Sequence, residues 1–139
     1  MKKSLLLLLL LPLFMGCSDN GFNNNNPFLS NYSFTVDLNL NLPAYSNLKF
    51  ASNAIYYSSP AVPRGIFIFN TTGSGFNAFD AACPNQAISS CSTMTLKGIN
   101  VVCACDNTEY SLFTGQGGKQ YPLKQYRVEV NGNILRVYN

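Results

Sequence analysis

Apolar and polar residues alternate along residues 32–42, where every second position is Tyr, Phe, Val or Leu and the positions between are Ser, Thr, Asp or Asn. A period of two is typical of a β-strand that has one face on a hydrophobic core and the other in water. Pro43 follows at once and is expected to end the strand. This stretch is the clearest strand that the sequence predicts.

The remaining strands are predicted from short apolar runs and the turn residues between them. Residues 65–69, Gly-Ile-Phe-Ile-Phe, form an unbroken apolar run, which indicates a strand buried on both faces. Glycine-containing turns at residues 72–75, 97–98 and 131–133 predict three hairpins. The strands expected around them are 76–80, 94–96 with 99–102, and 126–130 with 134–138, and a further short strand is expected at 110–113.

Residues 47–57 fit either an irregular connection or a short strand, and both interpretations stay open. No stretch shows the periodicity of an amphipathic helix. The sequence therefore predicts an all-β domain.

The first sixteen residues have the pattern of an export signal. Lys2 and Lys3 precede an apolar run that is shorter than the roughly 20 residues needed to span a bilayer. The run ends in Gly16-Cys17, which resembles a bacterial lipobox, and this resemblance implies that Cys17 is acylated and becomes the first residue. The alternative is an ordinary secretory signal, after which Cys17 keeps a free thiol.

On the lipobox interpretation, the chain consists of a signal peptide at 1–16, a lipidated cysteine with a flexible Asn-rich tether at 17–30, and a β domain at 31–139. The predicted location is the bacterial cell envelope, with the outer membrane or the periplasmic face favoured. Ser18, rather than Asp, after the cysteine is compatible with the outer membrane by analogy with enteric sorting. The anchor makes the membrane the first expected partner.

Charge excludes one class of partner. Removal of residues 1–16 leaves 123 residues and takes away two of the nine basic side chains, so seven basic residues face six acidic ones. No basic patch indicates nucleic acid. An envelope protein is the remaining candidate partner.

Four cysteines follow Cys17, and an even number in an exported chain favours disulfides. They are Cys83, Cys91, Cys103 and Cys105. From the residues alone, all three pairings are possible.

The surroundings of these cysteines resemble a Rieske [2Fe-2S] domain over roughly residues 65–138. The resemblance rests on a Cys-Pro loop, a hairpin, a Val-Cys-x-Cys loop and a closing segment of Pro-Leu-x-x-Tyr-x-Val-x-Val type followed by the last hairpin. Cys83 and Asn85 lie where the family has its first Cys-x-His ligand pair. Residues 103–106 align with the family's Cys-Pro-Cys-His motif, so Cys103 lies at the position of its first cysteine and Asp106 at the position of its histidine. The implied fold has stacked antiparallel sheets with two cysteine loops at one tip.

The chain departs from this family at the ligands. A Rieske centre needs two thiolates on one iron and two imidazoles on the other, and this sequence contains no histidine. Asn85 and Asp106 stand at the imidazole positions, where a neutral amide is a poor iron ligand and a carboxylate is a hard oxygen donor. The expectation is no cofactor, with an unusually ligated [2Fe-2S] cluster and electron transfer as the alternative.

The resemblance also implies a disulfide pairing. The first cysteine of each family loop binds the same iron, so Cys83 and Cys103 are expected to lie close enough to bond. Respiratory-chain members have an extra bridge, and this implies the second pair, Cys91 with Cys105. Bridges of such lengths stabilise a domain by about 2–4 kcal/mol each.

Other site chemistries have less support. A zinc or rubredoxin-like iron site on four thiolates usually has Cys-x-x-Cys spacing, and residues 103–105 are one residue short of it. A redox-active dithiol lacks the same motif. Without histidine, a Ser-His or Cys-His nucleophile cannot be built, so we predict no enzyme. The carboxylates Asp80, Asp106, Glu109 and Glu129 are interpreted as turn and surface residues.

Overall fold

The computed structural model describes residues 24–139. The signal peptide, Cys17 and the first part of the predicted tether lie outside the described residues, so those predictions stay predictions. The described strands are β1 Thr35–Asn39, β2 Ala54–Tyr57, β3 Ile66–Asn70, β4 Phe76–Asp80, β5 Thr95–Lys97, β6 Asn100–Val102, β7 Glu109–Ser111, β8 Gln125–Asn131 and β9 Ile134–Tyr138. One short 3₁₀ helix, Pro43–Lys49, joins β1 to β2. The all-β prediction is confirmed.

The strands form two antiparallel sheets. The larger has six strands in the order β1-β9-β8-β4-β3-β2, and the smaller has three in the order β5-β6-β7. The chain therefore leaves the larger sheet after β4, builds the smaller one, and returns to pair β8 with β4. Cys83 and Cys91 lie on the crossing from β4 to β5, whereas Cys103 and Cys105 lie on the turn between β6 and β7 within the smaller sheet.

The alternating stretch behaves as predicted up to Leu40, but its paired part is shorter than residues 32–42, and Leu42, predicted on the core face, is 49% exposed. Phe34, Leu38 and Leu40 are buried, and the residues between them are exposed or half-buried. Pairing with β9 runs only from Thr35 opposite Tyr138 to Asn39 opposite Ile134. Within residues 24–139, β1 pairs with β9 alone, and the strand ends where this pairing ends.

The apolar run at 65–69 is buried on both faces, as predicted, because β3 lies between two cores. Ile66 and Ile68 face the first core, which the larger sheet and the 3₁₀ helix enclose. Phe67 and Phe69 face the second core, which contains the smaller sheet and the inner cysteines. The cysteine region is thus packed on the same strand that supports the rest of the domain.

The three predicted hairpins are present. In the last one, Asn131 pairs with Ile134, so the central residues of the turn are Gly132 and Asn133, and Gly132 at the first central position supplies the positive φ, 60°, that such a two-residue turn requires. The open question at residues 47–57 is resolved as the end of the 3₁₀ helix followed by strand β2. Leu48 of this helix is fully buried, and its carbonyl accepts a hydrogen bond from Asn70 Nδ2 at 2.7 Å.

Residues 24–30, which the sequence assigned to the flexible tether, lie against the domain. Asn24 Nδ2 donates to Gln125 O at 2.6 Å and its Oδ1 accepts from Gln125 N at 3.1 Å. Asn26 Nδ2 donates to Pro84 O at 2.8 Å, and Leu29 is buried. The domain boundary therefore moves at least to residue 24, because asparagine side chains here satisfy the backbone of distant segments. Within residues 24–139, no helix has the length and apolar character needed to cross a membrane.

Candidate functional site: two cysteine loops joined by disulfides

The first cysteine loop, residues 81–94, is closed at its base by main-chain hydrogen bonds. Met94 N donates to Ala81 O at 2.8 Å, and Cys83 N donates to Ser92 O at 2.8 Å. These bonds hold Cys83 directly after β4. The loop leaves the larger sheet and returns as β5 of the smaller one.

The second cysteine loop, residues 103–108, is a tight turn after β6. Asn107 N donates to Cys103 O at 2.8 Å, and Cys103 N donates to Thr108 O at 2.9 Å. Asn107 has a φ of 59°, which asparagine tolerates better than most residues. This turn brings both of its cysteines against the first loop.

Two disulfides join the loops. The inner bridge, Cys83–Cys103, has its Cα atoms 5.5 Å apart, and the outer bridge, Cys91–Cys105, has them 5.2 Å apart. These are the pairs that the family resemblance implies. The closed loops of 20 and 14 residues correspond to a stabilisation of about 3 kcal/mol each by restriction of the unfolded chain.

Asn85 holds the first loop to a third segment. Its Nδ2 donates to Tyr110 Oη at 2.9 Å and to Tyr121 O at 2.7 Å, and its Oδ1 accepts from Tyr121 N at 2.9 Å. Both ends of the amide are therefore occupied. Asn85 acts as a structural cross-link at the position where the family has an imidazole.

Asp106 is exposed, and its side chain stabilises the turn in which it lies. Its Oδ1 accepts a hydrogen bond from Thr108 N at 3.0 Å, and Lys119 Nζ lies 4.0 Å from its Oδ2. Slight burial acts to raise the pKa of Asp106, but the hydrogen bonds from Thr108 and the charge of Lys119 outweigh it and leave the pKa below the ordinary aspartate value. The carboxylate is ionised at neutral pH and faces solvent.

The donor set does not fit a Rieske cluster. The Sγ atoms of Cys83, Cys103 and Cys105 all lie within 4.8 Å of one another, so sulfur is concentrated here. However, the sulfurs of Cys83 and Cys103 are bonded to each other. The side chain of Asn85 is hydrogen-bonded to Tyr110 and Tyr121, and the chain has no histidine. Two thiolates and two imidazoles cannot be assembled from these residues.

Asp80 precedes the first loop and binds its backbone. It is buried, although the sequence predicted a turn or surface position for it. It is 2% exposed, its Oδ1 accepts from Ala82 N at 2.8 Å, and its Oδ2 accepts from Tyr126 Oη at 2.7 Å. Burial raises the pKa of Asp80, against the hydrogen bonds from Tyr126 and Ala82 and the charge of Lys124. The signal in the sequence is its place inside the apolar run 78–82.

Lys124 is the buried cation beside Asp80, and the sequence analysis did not single it out. Its Nζ donates to Ser30 O at 2.6 Å and to Asn31 Oδ1 at 2.6 Å, with Leu29 O at 3.4 Å. Burial lowers the pKa of Lys124, while the charge of Asp80 acts in the opposite direction. The lysine therefore fastens the segment at 29–31 to the start of β8.

A shallow recess of about 340 Å³ lies between the two sheets, beside the cysteine region. It opens between β2 and β5, each of which is the last strand of its sheet. Tyr56 and Leu96 are partly exposed at its rim. Its lining is Tyr56, Phe67, Thr93, Met94, Thr95 and Leu96.

The parts on which the resemblance rests occur in the expected spatial arrangement. The two cysteine loops meet at one end of stacked antiparallel sheets, and the closing segment returns through Leu123 into the core that contains Cys83 and Cys103. The predicted Rieske-like architecture is therefore present. The ligand set of that family is not.

Comparisons with known proteins give similar structures only. No family model matches the chain, and no curated protein matches its sequence. The plasma membrane Rieske protein of Synechocystis PCC 6803 is similar over 62% of this chain and 86% of its own, with 20% identity and a TM-score of 0.49. The Sphingomonas yanoikuyae B1 ferredoxin is similar over 65% of this chain and 88% of its own, with 15% identity and a TM-score of 0.45.

A third similar structure is the ferredoxin of carbazole 1,9a-dioxygenase from Nocardioides aromaticivorans IC177. It covers 64% of this chain and 86% of its own, with 12% identity and a TM-score of 0.44. At these identities and TM-scores, no ligand, partner or activity transfers to the present chain.

Proposed function

We propose that this chain is a lipid-anchored protein of the bacterial envelope whose Rieske-like domain serves as a disulfide-stabilised structural or binding module. One observation carries the proposal: the groups expected to hold a cluster are already used to hold the protein together. Cys83 bonds to Cys103, and Asn85 makes three hydrogen bonds to Tyr110 and Tyr121. Of the four family ligand positions, only Asp106 then remains for a second iron, and its carboxylate is a hard oxygen donor in place of an imidazole.

The anchor rests on the sequence of residues 1–17. Two lysines, an apolar run and Gly16-Cys17 support acylation of Cys17. Two acyl chains make attachment stable, since each buried methylene contributes about 0.8 kcal/mol. The near balance of seven basic and six acidic side chains after residue 16 supports a role that does not involve nucleic acid.

A binding role has a candidate surface. The recess between β2 and β5 is mostly apolar and lies between two strand edges whose outer sides have no strand partner within residues 24–139. An envelope protein that contributes an extended segment is the partner type that suits such edges. Substitution of Leu96 by Asp places a charge at the rim and is expected to reduce co-purification of such a partner.

The cofactor proposal is tested by the composition of the purified protein. We expect a colourless protein that lacks stoichiometric iron and acid-labile sulfide and that has no reactive thiol from Cys83, Cys91, Cys103 or Cys105 in denaturant. A brown protein with near two irons and two sulfides per chain would instead establish an electron carrier with an unusually ligated cluster. Chemical reconstitution with iron and sulfide, compared with a histidine-containing Rieske ferredoxin as a positive control, makes the negative result informative.

The anchor proposal is tested separately by cell fractionation. Cys17→Ser is expected to move the protein from the membrane pellet to the soluble periplasmic fraction. Incorporation of labelled palmitate into the wild-type chain but not the variant would show that acylation requires Cys17. A variant that stays in the pellet would contradict lipidation while leaving the cofactor result untouched.

A further inference from the structure

The outer bridge places a third sulfur beside the inner bridge. Cys105 Sγ lies within 4.8 Å of both Cys83 Sγ and Cys103 Sγ, although it is bonded to Cys91. The three atoms come from two loops that are fixed by main-chain hydrogen bonds. The approach is thus part of the folded structure and does not need a loop movement to form.

The two bridges differ in their access to solvent. Cys83 and Cys103 are each 1% exposed, whereas Cys91 lies at an exposed position. The outer bridge is therefore the more accessible of the two to a thiol from solution, at its Cys91 end. Any reducing agent that acts on the folded protein meets the outer bridge first.

Ser89 provides a polar partner for the outer sulfurs. Its Oγ lies 3.2 Å from Cys91 Sγ and 3.8 Å from Cys105 Sγ. Arg64 Nη2 donates to the carbonyl of the same serine at 2.6 Å, so a guanidinium holds this part of the loop. A hydroxyl within reach of the sulfur favours the thiolate form of a cysteine that leaves a disulfide, because it can donate a hydrogen bond to that thiolate.

We propose that these four cysteines form a thiol–disulfide exchange site that accepts electrons from dithiols and passes them from the outer to the inner bridge through Cys105. This inference goes beyond the structural or binding role. It also needs no Cys-x-x-Cys motif, because the relay sulfur is supplied by the fold and not by sequence spacing.

The steps balance as follows. One thiolate of the dithiol attacks Cys91 Sγ, forms a mixed disulfide and releases the Cys105 thiolate. That thiolate attacks the inner bridge, bonds to Cys83 or Cys103, and releases the other as a thiolate. The second thiol of the dithiol then displaces Cys91, so the dithiol is oxidised to a disulfide and the protein takes up two electrons and two protons.

Two single variants separate the relay from simple loosening of the domain. Cys91→Ser and Cys105→Ser both lack the outer bridge, and each retains one of its two cysteines. Only Cys91→Ser keeps the sulfur that contacts the inner bridge. The comparison uses the full chain in detergent, with Cys17 present in both.

The measurement is the rate at which dithiothreitol opens the inner bridge under native conditions, followed by acid quenching, alkylation and peptide mapping of Cys83 and Cys103. We expect opening to be roughly tenfold or more faster in Cys91→Ser than in Cys105→Ser, because attack by a positioned thiolate is intramolecular. Equal rates in the two variants would overturn the relay.

A second measurement uses the wild-type chain and does not depend on the folding of a variant. With limiting dithiothreitol and rapid acid trapping, we expect a new bridge from Cys105 to Cys83 or Cys103. Release of both Cys91 and Cys105 as free thiols, with the inner bridge always intact, would refute the exchange site. Neither result depends on iron content or on the lipid anchor, so the exchange site can fail while the proposed function stands.

Discussion

Replacement of Asn85 by alanine tests whether the residue at the family's imidazole position now has a structural role. The substitution removes both hydrogen bonds that Nδ2 donates and the one that Oδ1 accepts. It leaves the hydroxyl of buried Tyr110 and the backbone of Tyr121 without these partners. The lost contacts connect segments 25 and 36 residues apart, so no local turn can replace them.

The expected cost follows from the number of bonds. A hydrogen bond within a protein contributes about 0.5–1.5 kcal/mol net, so the loss of three predicts a decrease of about 2–4 kcal/mol in the free energy of unfolding. For a domain of this size, the melting temperature is expected to fall by about 8–16 °C. Both disulfides are kept oxidised during the measurement, so that the change reports on Asn85 alone.

Urea unfolding followed by far-ultraviolet circular dichroism is a suitable assay, because the chain has no tryptophan. Asn53→Ala is a matched control: Asn53 is exposed, and its two side-chain bonds, at 3.4 and 3.2 Å, reach only local carbonyls. The control is expected to change stability by less than about 0.5 kcal/mol. If Asn85→Ala were as mild as the control, the structural role of Asn85 would be refuted.

Three further outcomes are expected. Gly117→Ala should destabilise the domain by about 1–3 kcal/mol, since a Cβ there would lie 2.3 Å from Tyr110 Cδ1. In the control, Gly118→Ala, the new Cβ meets no atom within 4 Å, so the only cost is that of a side chain at a φ of 70°. The urea midpoints of the two variants check this difference. Lys124→Met should increase hydrogen exchange across residues 24–31, and unchanged exchange there would show that the lysine does not fasten this segment. Because burial raises the pKa of Asp80 in the folded state, the stability linked to it is present below its ordinary pKa and is lost as the pH rises through the raised one. The unfolding free energy of wild type minus that of Asp80→Asn should therefore fall as the pH rises above about 4, the ordinary aspartate pKa, and a flat difference would contradict the assignment.

The sequence predicted the strands well where local signals and burial agree. The alternation at 32–42 placed Phe34, Leu38 and Leu40 inward, and the apolar run at 65–69 was buried on both faces. Turn chemistry located the hairpins because glycine supplies the required φ at Gly98 and Gly132. The 3₁₀ helix Pro43–Lys49 was missed, since seven residues are too few to show a helical period.

For the candidate site, the disulfide pairing could be predicted from the sequence, but the burial of its charged residues could not. The family resemblance supplied both disulfide pairs and the position of Asn85. The burial of Asp80 and Lys124 depends on partners that are far away along the chain, such as Tyr126 and residues 29–31. The same reason explains residues 24–30: their composition is that of a linker, and only the folded domain provides the acceptors that hold them.

The pairing of β1 with β9 has a consequence for the way in which the domain is made. Thr35 pairs with Tyr138, so the first strand to be synthesised takes its partner from the last. Loops that long are slow to close, whereas the disulfides connect residues only 20 and 14 positions apart. The region around the cysteines can thus assemble early, while the larger sheet stays open until the final strand arrives. A chain shortened before β9 would leave β1 and β8 without their shared neighbour, and the nascent protein would be aggregation-prone at these two edges.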